Sequence, residues 1–219
     1  MLLEAKHLKK SFMNGRVRAV NDVSFCLQKG ETIGVVGASG SGKSTLAKLI
    51  LGVMPPDGGE ILFSAGGGPA FGGQRASMGA VFQDPFLSLD PKMTVRDILE
   101  EPFRIRGGRD RRFLEQKVRE LLLAVELPEA FGRRLPKELS GGECQRIAIA
   151  RAISTEPELV VCDEPVSSLD LLIQAQILNL LLRLQKAKGV SYFFISHDRR
   201  VVQHMSDRVL VMQDGKVLK

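Results

Sequence analysis

Gly37-Ala38-Ser39-Gly40-Ser41-Gly42-Lys43-Ser44-Thr45 is the stretch from which the fold can be read. Two glycines separated by four residues, then Lys and Ser, form the pattern of a phosphate-binding loop. Thr32–Val36 before it is a short β-branched run, and residues 46–51 after it carry a helical pattern. A strand, a loop and a helix in that order are the context the pattern requires. The glycines let successive backbone N–H groups turn inward around a triphosphate. Lys43 adds a point charge, the Ser44 hydroxyl can ligate Mg²⁺, and the helix N-terminus favours anions. Gly37, Ser39, Gly40, Ser41, Gly42, Lys43, Ser44 and Thr45 are therefore the candidate nucleotide-binding residues.

The totals agree with an α/β chain. Its 219 residues are enough for a sizeable core, and 44% hydrophobic with 26% charged residues is a globular composition. No apolar run approaches the roughly 18 residues of a membrane-spanning helix. Residues 1–7 do not read as a signal peptide, because Glu4 and Lys6 interrupt them. A cytoplasmic location is expected, and Cys26, Cys144 and Cys162 read as reduced thiols without metal spacing. The formal charge of +6 raises nucleic acid as a partner, yet only 5% of residues are aromatic, so platforms for stacking bases are scarce. No nucleic acid is expected. Residues 104–137 hold ten Lys or Arg against five Asp or Glu. That segment reads as a solvated helical face or, through Arg109, Arg111 and Arg112, as a surface near anionic lipid headgroups.

Along the chain, residues 2–12 and 20–27 read as strands joined at Asn14-Gly15, an antiparallel edge layer leading into the loop strand. Phe12, at the end of the first strand, is placed either to stack on adenine or to fill core. Residues 60–63 and 78–82 form further short strands, and the glycine-rich stretch 66–73 between them reads as a surface loop. Gln83 closes the second of these, where an amide can reach both a metal and an attacking water. Residues 84–139 read as an inserted helical subdomain punctuated by Pro85, Pro91 and Pro102. Phe113, Leu114, Val118, Leu121, Leu122 and Val125 recur there at helical spacing.

Leu139-Ser140-Gly141-Gly142-Glu143 opens the next helix with a capping box between Ser140 and Glu143. Two glycines there weaken the helix, which makes sense if a phosphate approaches bare backbone. Residues 159–162 form a buried strand ending in Asp163-Glu164. Two acids in that place require compensation by metal or hydrogen bonds. In a phosphate-loop protein the first can hold Mg²⁺ and the second can polarise the attacking water. Residues 173–184 read as an apolar helix, residues 191–196 as a strand followed by His197, and Asp214-Gly215 as the turn of a closing hairpin.

The ordered set of residues 37–45, Gln83, residues 139–143 with Gln145-Arg146, Asp163-Glu164, Ser168-Leu169-Asp170 and His197 resembles the nucleotide-binding domain of ATP-binding cassette (ABC) proteins over essentially the whole chain. The resemblance implies a single domain, 1–219, with a P-loop NTPase fold: an antiparallel β edge layer and a mainly parallel core sheet in residues 1–83 and 140–219, and a helical subdomain in 84–139. It implies ATP and Mg²⁺ as cofactors. Ser44, Gln83 and Asp163 would serve the metal, Glu164 would be the general base, His197 would contact the γ-phosphate, and Gln83 would report occupancy. It also implies a head-to-tail pair in which Ser140, Gly141, Gly142 and Glu143 of one subunit close over the nucleotide of the other, with Asp170 coupling the two sites.

Residues 81–95 are similar to a segment of the ATP-binding subunits of peptide and nickel importers. That implies an ATP-hydrolysing motor on the inner face of the cell membrane, working with integral permease subunits, a second ATPase subunit (identical or related) and an extracytoplasmic substrate-binding protein. Phe86, Leu87 and Met93 would lie near the groove for a permease coupling helix. Glu143 stands where glutamine is commoner and Phe12 where tyrosine is. The alternative is a soluble ABC-type ATPase acting on nucleic acid or ribosomes.

Overall fold

The computed structural model describes residues 1–63, 68–69, 78–108 and 110–218. The glycine-rich stretch 66–73, apart from the backbone of Gly68–Pro69, and Arg109 lie outside the described residues. In chain order the elements are β1 (Leu3–Phe12), β2 (Val17–Leu27), β3 (Thr32–Val36), α1 (Lys43–Ile50), β4 (Gly58–Phe63), β5 (Gly68–Pro69), β6 (Met78–Val81), α2 (Pro85–Ser88), α3 (Val95–Ile105) and α4 (Arg111–Ala124). There follow α5 (Gly141–Ile153), β7 (Leu159–Asp163), α6 (Leu171–Lys188), β8 (Ser191–Ile195), α7 (Arg199–Met205), β9 (Arg208–Gln213) and β10 (Lys216–Leu218), with two short 3-10 turns between α4 and α5. Contacts divide the chain into two compact units: Met1–Met78 with Glu158–Glu164 and Gly189–Lys219, and Gly79–Pro157 with Pro165–Lys188.

The first unit holds two sheets. One is antiparallel in the order β2-β1-β4-β5, and the other runs β10-β9-β3-β8-β7. In the second, β3 pairs parallel with β8 and β9, and β7 parallel with β8, while the β9–β10 hairpin is antiparallel. Every residue of β3 and β8 is buried, as a parallel strand covered on both faces must be. Helix α1 contacts β2 of one sheet and β7 and β8 of the other. Its Leu46, Ala47, Leu49 and Ile50 join Ile33, Val35, Val161, Phe193 and Ile195 in the core. Side chains alternate along a strand, so Gly34 faces away from Ile33 and Val35, towards α7. The four parallel strands β9, β3, β8 and β7 bring their C-terminal ends to one edge, where the loop after β3 and the acids at the end of β7 emerge.

The second unit is helical around α5. Helices α2, α3, α4 and α6 all pack on it. Leu114, Val118, Leu121, Leu122 and Val125 are buried as the helical spacing predicts, but Phe113 is 42% exposed and meets Phe103 edge-on at 5.8 Å. It is adjacent to Leu114 and so is turned about 100° around the helix from it, off the buried stripe. Pro102 does not end a segment: it lies inside α3, which continues to Ile105. The lost hydrogen bond is the one from position 102 to the Ile98 carbonyl, and the buried Val95, Ile98 and Leu99 hold the helix in place around it. One charge of the local basic surplus is met from outside the segment, since Arg104 pairs with Glu100 at 2.6 Å, and Arg111 pairs with Glu115 at 3.1 Å within it. Among the described residues no helix is long and apolar enough to cross a membrane.

A methyl group on Gly34 would stand 2.2 Å from Ser206 Oγ and 2.3 Å from Val202 Cγ1 of the α7 segment. Gly34→Ala should therefore destabilise the chain by about 1–3 kcal/mol, the usual cost of overpacking. Urea unfolding should show a lower midpoint with the same denaturant slope.

Candidate functional site

In the first unit the loop from β3 to α1 is held on three sides by backbone. Gly42 caps α1 at φ +104°, and a β-carbon there would stand 1.9 Å from the Ala19 carbonyl oxygen. One on Gly37 would meet the Met212 oxygen at 2.2 Å, and one on Gly215 the Arg18 oxygen at 2.6 Å. Hydrogen bonds complete the frame. Gly215 N–H donates to Ser41 O at 3.1 Å, Asn21 N–H to Gly215 O at 2.7 Å, and Leu46 N–H to Gly42 O at 2.9 Å. The first turn of α1 carries no acidic residue, so the partial positive charge of the helix end is left uncompensated for an anion. A cavity of about 360 Å³ is lined by residues 37–41 of the loop and residues 211–214 of the closing hairpin.

Lys43 is almost fully buried, and its ammonium donates to the Gly37 and Ala38 carbonyl oxygens at 2.9 and 2.8 Å. Ser44 Oγ donates to Asp163 Oδ1 at 3.2 Å, which joins the loop to the end of β7. Burial holds the Asp163 carboxyl above its ordinary range, with the Glu164 charge adding to it, against the Ser44 hydrogen bond and the nearby Lys43 and Lys48. A carboxylate that is costly to keep charged, beside a hydroxyl, is an oxygen pair suited to a hard cation. Among the described residues no group of three or more His, Cys, Asp and Glu forms a metal cage. The Ser44–Asp163 oxygen pair is the kind of protein contribution Mg²⁺ takes, since that ion is commonly held by one or two protein oxygens together with water and substrate phosphates.

Glu164 adopts φ +52°, a left-handed conformation that a residue with a β-carbon enters only at a cost. Its N–H donates to Ile195 O at 3.0 Å, and its carboxylate lies 3.1 Å from His197 Nδ1. The Glu164 side chain is 21% exposed and that of His197 63%, so the pair opens to solvent on the histidine side. Cys162, beside them in sequence, is fully buried, and its thiol is pushed far above the usual range. It packs and does not react. Phe12 ends β1 with its ring partly exposed, as either of its two readings allows.

The second unit carries the other candidates. Ser140 caps α5, and Glu143 N–H donates to Ser140 Oγ at 3.3 Å. The Glu143 carboxylate in turn accepts from Ser140 N–H at 2.7 Å and Ser140 Oγ at 2.9 Å. The glycine pair has a packing cause besides the phosphate one. A β-carbon on Gly142 would lie 2.7 Å from Ile173 Cγ2 of α6, whereas one on Gly141 would reach Leu169 only at 3.4 Å. Gln83 is exposed, and its carbonyl accepts from Ser168 Oγ at 3.2 Å. Asp170 starts α6, its carboxylate accepting from Ile173 N–H at 3.0 Å.

Residues 37–45, Asp163, Glu164 and His197 thus lie in the first unit, and Gln83, Ser140, Gly141, Gly142, Glu143 and Asp170 in the second. Two polar features of α5 were not legible as spacing. Gln145 is fully buried, with neither amide atom in hydrogen-bond reach of a described group, and Arg146 is drawn to the end of α4. Only the tertiary packing of α5 reveals them.

Residues 20–167 match the family model of the ABC transporter. The oligopeptide transport ATP-binding protein OppF of Bacillus subtilis is 44% identical over 230 aligned positions, covering 100% of this chain and 74% of that protein. OppF of Escherichia coli is 44% identical, covering 93% and 63%. Among solved structures, cbiO1 of Clostridium perfringens, part of the ABC transporter complex cbiONQ, superposes with a TM-score of 0.87 at 28% identity, covering 100% of this chain and 87% of that one. A dimeric post-hydrolysis state of the ATP-binding cassette MJ0796 with ADP and Pi superposes at 0.85 and 28% identity, covering 100% and 97%. Loop, strand-end acids, capped helix and these likenesses agree: the chain belongs to the ABC transporter family, as an ATPase cassette.

Proposed function

We propose that the chain is the ATP-hydrolysing motor of a peptide importer, docked on integral permease subunits at the inner face of the membrane and working as a pair of cassettes. The single observation that carries this reading is the arrangement in the first unit, where one rigid loop presents Lys43 and Ser44 beside Asp163, with the Glu164–His197 pair at the end of the same strand layer. The relatives reported above carry oligopeptide transport in their names, which favours peptides over nickel. Residues 1–219 act as one functional domain, within which 84–139 supply the helical subdomain.

In this reading the loop N–H groups and Lys43 hold the phosphates of ATP, and Phe12 stacks on the adenine. Ser44 and Asp163 would hold Mg²⁺, which when bound would offset charge on the phosphate oxygens; Gln83 is assigned to the metal by the family resemblance alone. The capped N-terminus of α5 from a second chain closes on the same γ-phosphate through Ser140, Gly141 and Gly142. Glu164 accepts a proton from water as its oxygen attacks the γ-phosphorus in line, and the bond to the ADP oxygen breaks. His197, whose Nδ1 lies 3.1 Å from the Glu164 carboxylate, contacts the γ-phosphate. Cleavage removes the charge shared by two helix ends, and the pair opens. Asp170, at the start of α6, couples the two sites. Phe86 and Leu87, 46% and 86% exposed on α2, offer an apolar seat for a permease helix, with Met93 beside it in sequence.

Glu164→Gln should bind ATP, lose on the order of 10²- to 10⁴-fold in turnover and accumulate ATP-dependent dimers on size exclusion. Wild-type turnover in that variant would defeat the assignment of the base. Glu143 adds a negative charge where an anion must approach, while its capping role needs only an acceptor. Glu143→Gln should therefore lower the ATP concentration for half-maximal dimerisation severalfold without loss of helix stability, read by light scattering and thermal unfolding. Isolation of the membrane complex, followed by ATPase assays with added peptides, tests the cargo directly. Stimulation by peptides is the expected result.

A further inference from the structure

Helix α4 ends in a motif that ordinarily takes glycine. Leu127 N–H donates to Leu122 O at 2.9 Å and Glu126 N–H to Leu123 O at 3.0 Å; Leu122 and Leu127 are buried, while the Leu123 side chain is exposed. These are the paired bonds of a Schellman ending, whose key position must be left-handed. Glu126 occupies it at φ +60°, where a β-carbon is disfavoured and glycine is not.

What the glutamate does there, no glycine could do. One carboxylate oxygen accepts from Arg146 Nη1 at 2.9 Å, and the other accepts from Arg183 Nη2. Arg146 belongs to α5, the helix capped by Ser140, and its side chain is 12% exposed. The same Nη1 donates to Val125 O at 2.7 Å, a carbonyl at the end of α4. Arg183 belongs to α6, the helix that Asp170 caps. The two guanidinium groups, Arg146 foremost, hold the Glu126 carboxyl below its ordinary range, so it is ionised at neutral pH. Without it two cations would face one another. An exposed ion pair alone contributes little. Here a strained backbone position, a largely buried arginine and a carbonyl left over by a helix end converge on one carboxylate.

We propose that Glu126 is a positioning residue that ties the Ser140-capped helix to the Asp170-capped helix, so that the two meet a second chain's nucleotide as one piece. This rests on the paired-cassette reading above. Glu126 touches no substrate, and its effect runs through α5 and α6.

The test uses the full chain in the Glu164→Gln background, with Glu126→Gly, Glu126→Gln, Arg183→Met and the Glu126→Gly/Arg183→Met pair. Glycine removes the carboxylate but suits the left-handed position, and Arg183 is 55% exposed, so neither change should unfold the chain. ADP affinity of the monomer, a property of the first unit, should stay as in the parent. The ATP concentration for half-maximal dimerisation should rise about tenfold in Glu126→Gly and in Arg183→Met, with the pair no worse than Glu126→Gly alone. Glu126→Gln, which keeps the acceptor, should fall between. Unchanged dimerisation in the single variants, or full additivity in the pair, would overturn the clamp while leaving the cassette pair intact. Failure of the Glu164→Gln parent to dimerise with ATP would overturn the paired reading, and the clamp with it.

Discussion

The contact between Gly42 and the Ala19 carbonyl is the constraint on which the first unit depends. With a β-carbon position 1.9 Å from that oxygen and φ at +104°, only glycine lets the loop lie against β2. Gly215 presses on the same stretch of β2 from the closing hairpin, and Gly37 presses on Met212. The loop is therefore clamped by backbone, with the buried Lys43 side chain adding two hydrogen bonds to its carbonyls. Preorganised donors of this kind stabilise charge without having to reorient when it arrives.

The second unit solves a related problem by different means. In the proposed reading its helix α5 offers an N-terminus to an anion, while α6 packs tightly against the same turn. Gly142 meets the second demand, since any β-carbon would enter Ile173. Ser140 and Glu143 satisfy the terminal donors reciprocally, which keeps the helix start ordered at the expense of a negative charge near the place where an anion is wanted.

Sequence and structure agree most closely where one residue type is physically obligatory. The placement of the loop glycines, Lys43 and Ser44 between β3 and α1, and of the acids at the end of β7, could be read from type and spacing, and β3, β7 and β8 announce themselves as short apolar runs. Boundaries were less legible. Strand β2 begins at Val17 instead of Val20, because Val17 and Arg18 pair with Phe12 and Ser11 and carry the strand through Arg18 and Ala19, which lack β character. Helix α6 reaches from Leu171 to Lys188, since the Asp170 cap and a polar last turn lengthen the apolar stretch at both ends. Phe113 fitted the helical spacing only approximately, and Pro102 was overridden by packing. Glu126 was invisible, because a left-handed backbone angle at a non-glycine residue leaves no mark in the sequence.

Lys43 has a consequence for selectivity. Its ammonium is already satisfied by two carbonyls of its own loop, and hydrogen bonds to a charged group are worth about 1.5–3 kcal/mol each. A newcomer must outbid both. A small monoanion offers too few acceptors, whereas a polyphosphate spanning the loop repays the exchange through many N–H groups at once. In the proposed reading the resting loop thus favours a ligand able to replace both contacts and engage several N–H groups together over one that offers a single acceptor.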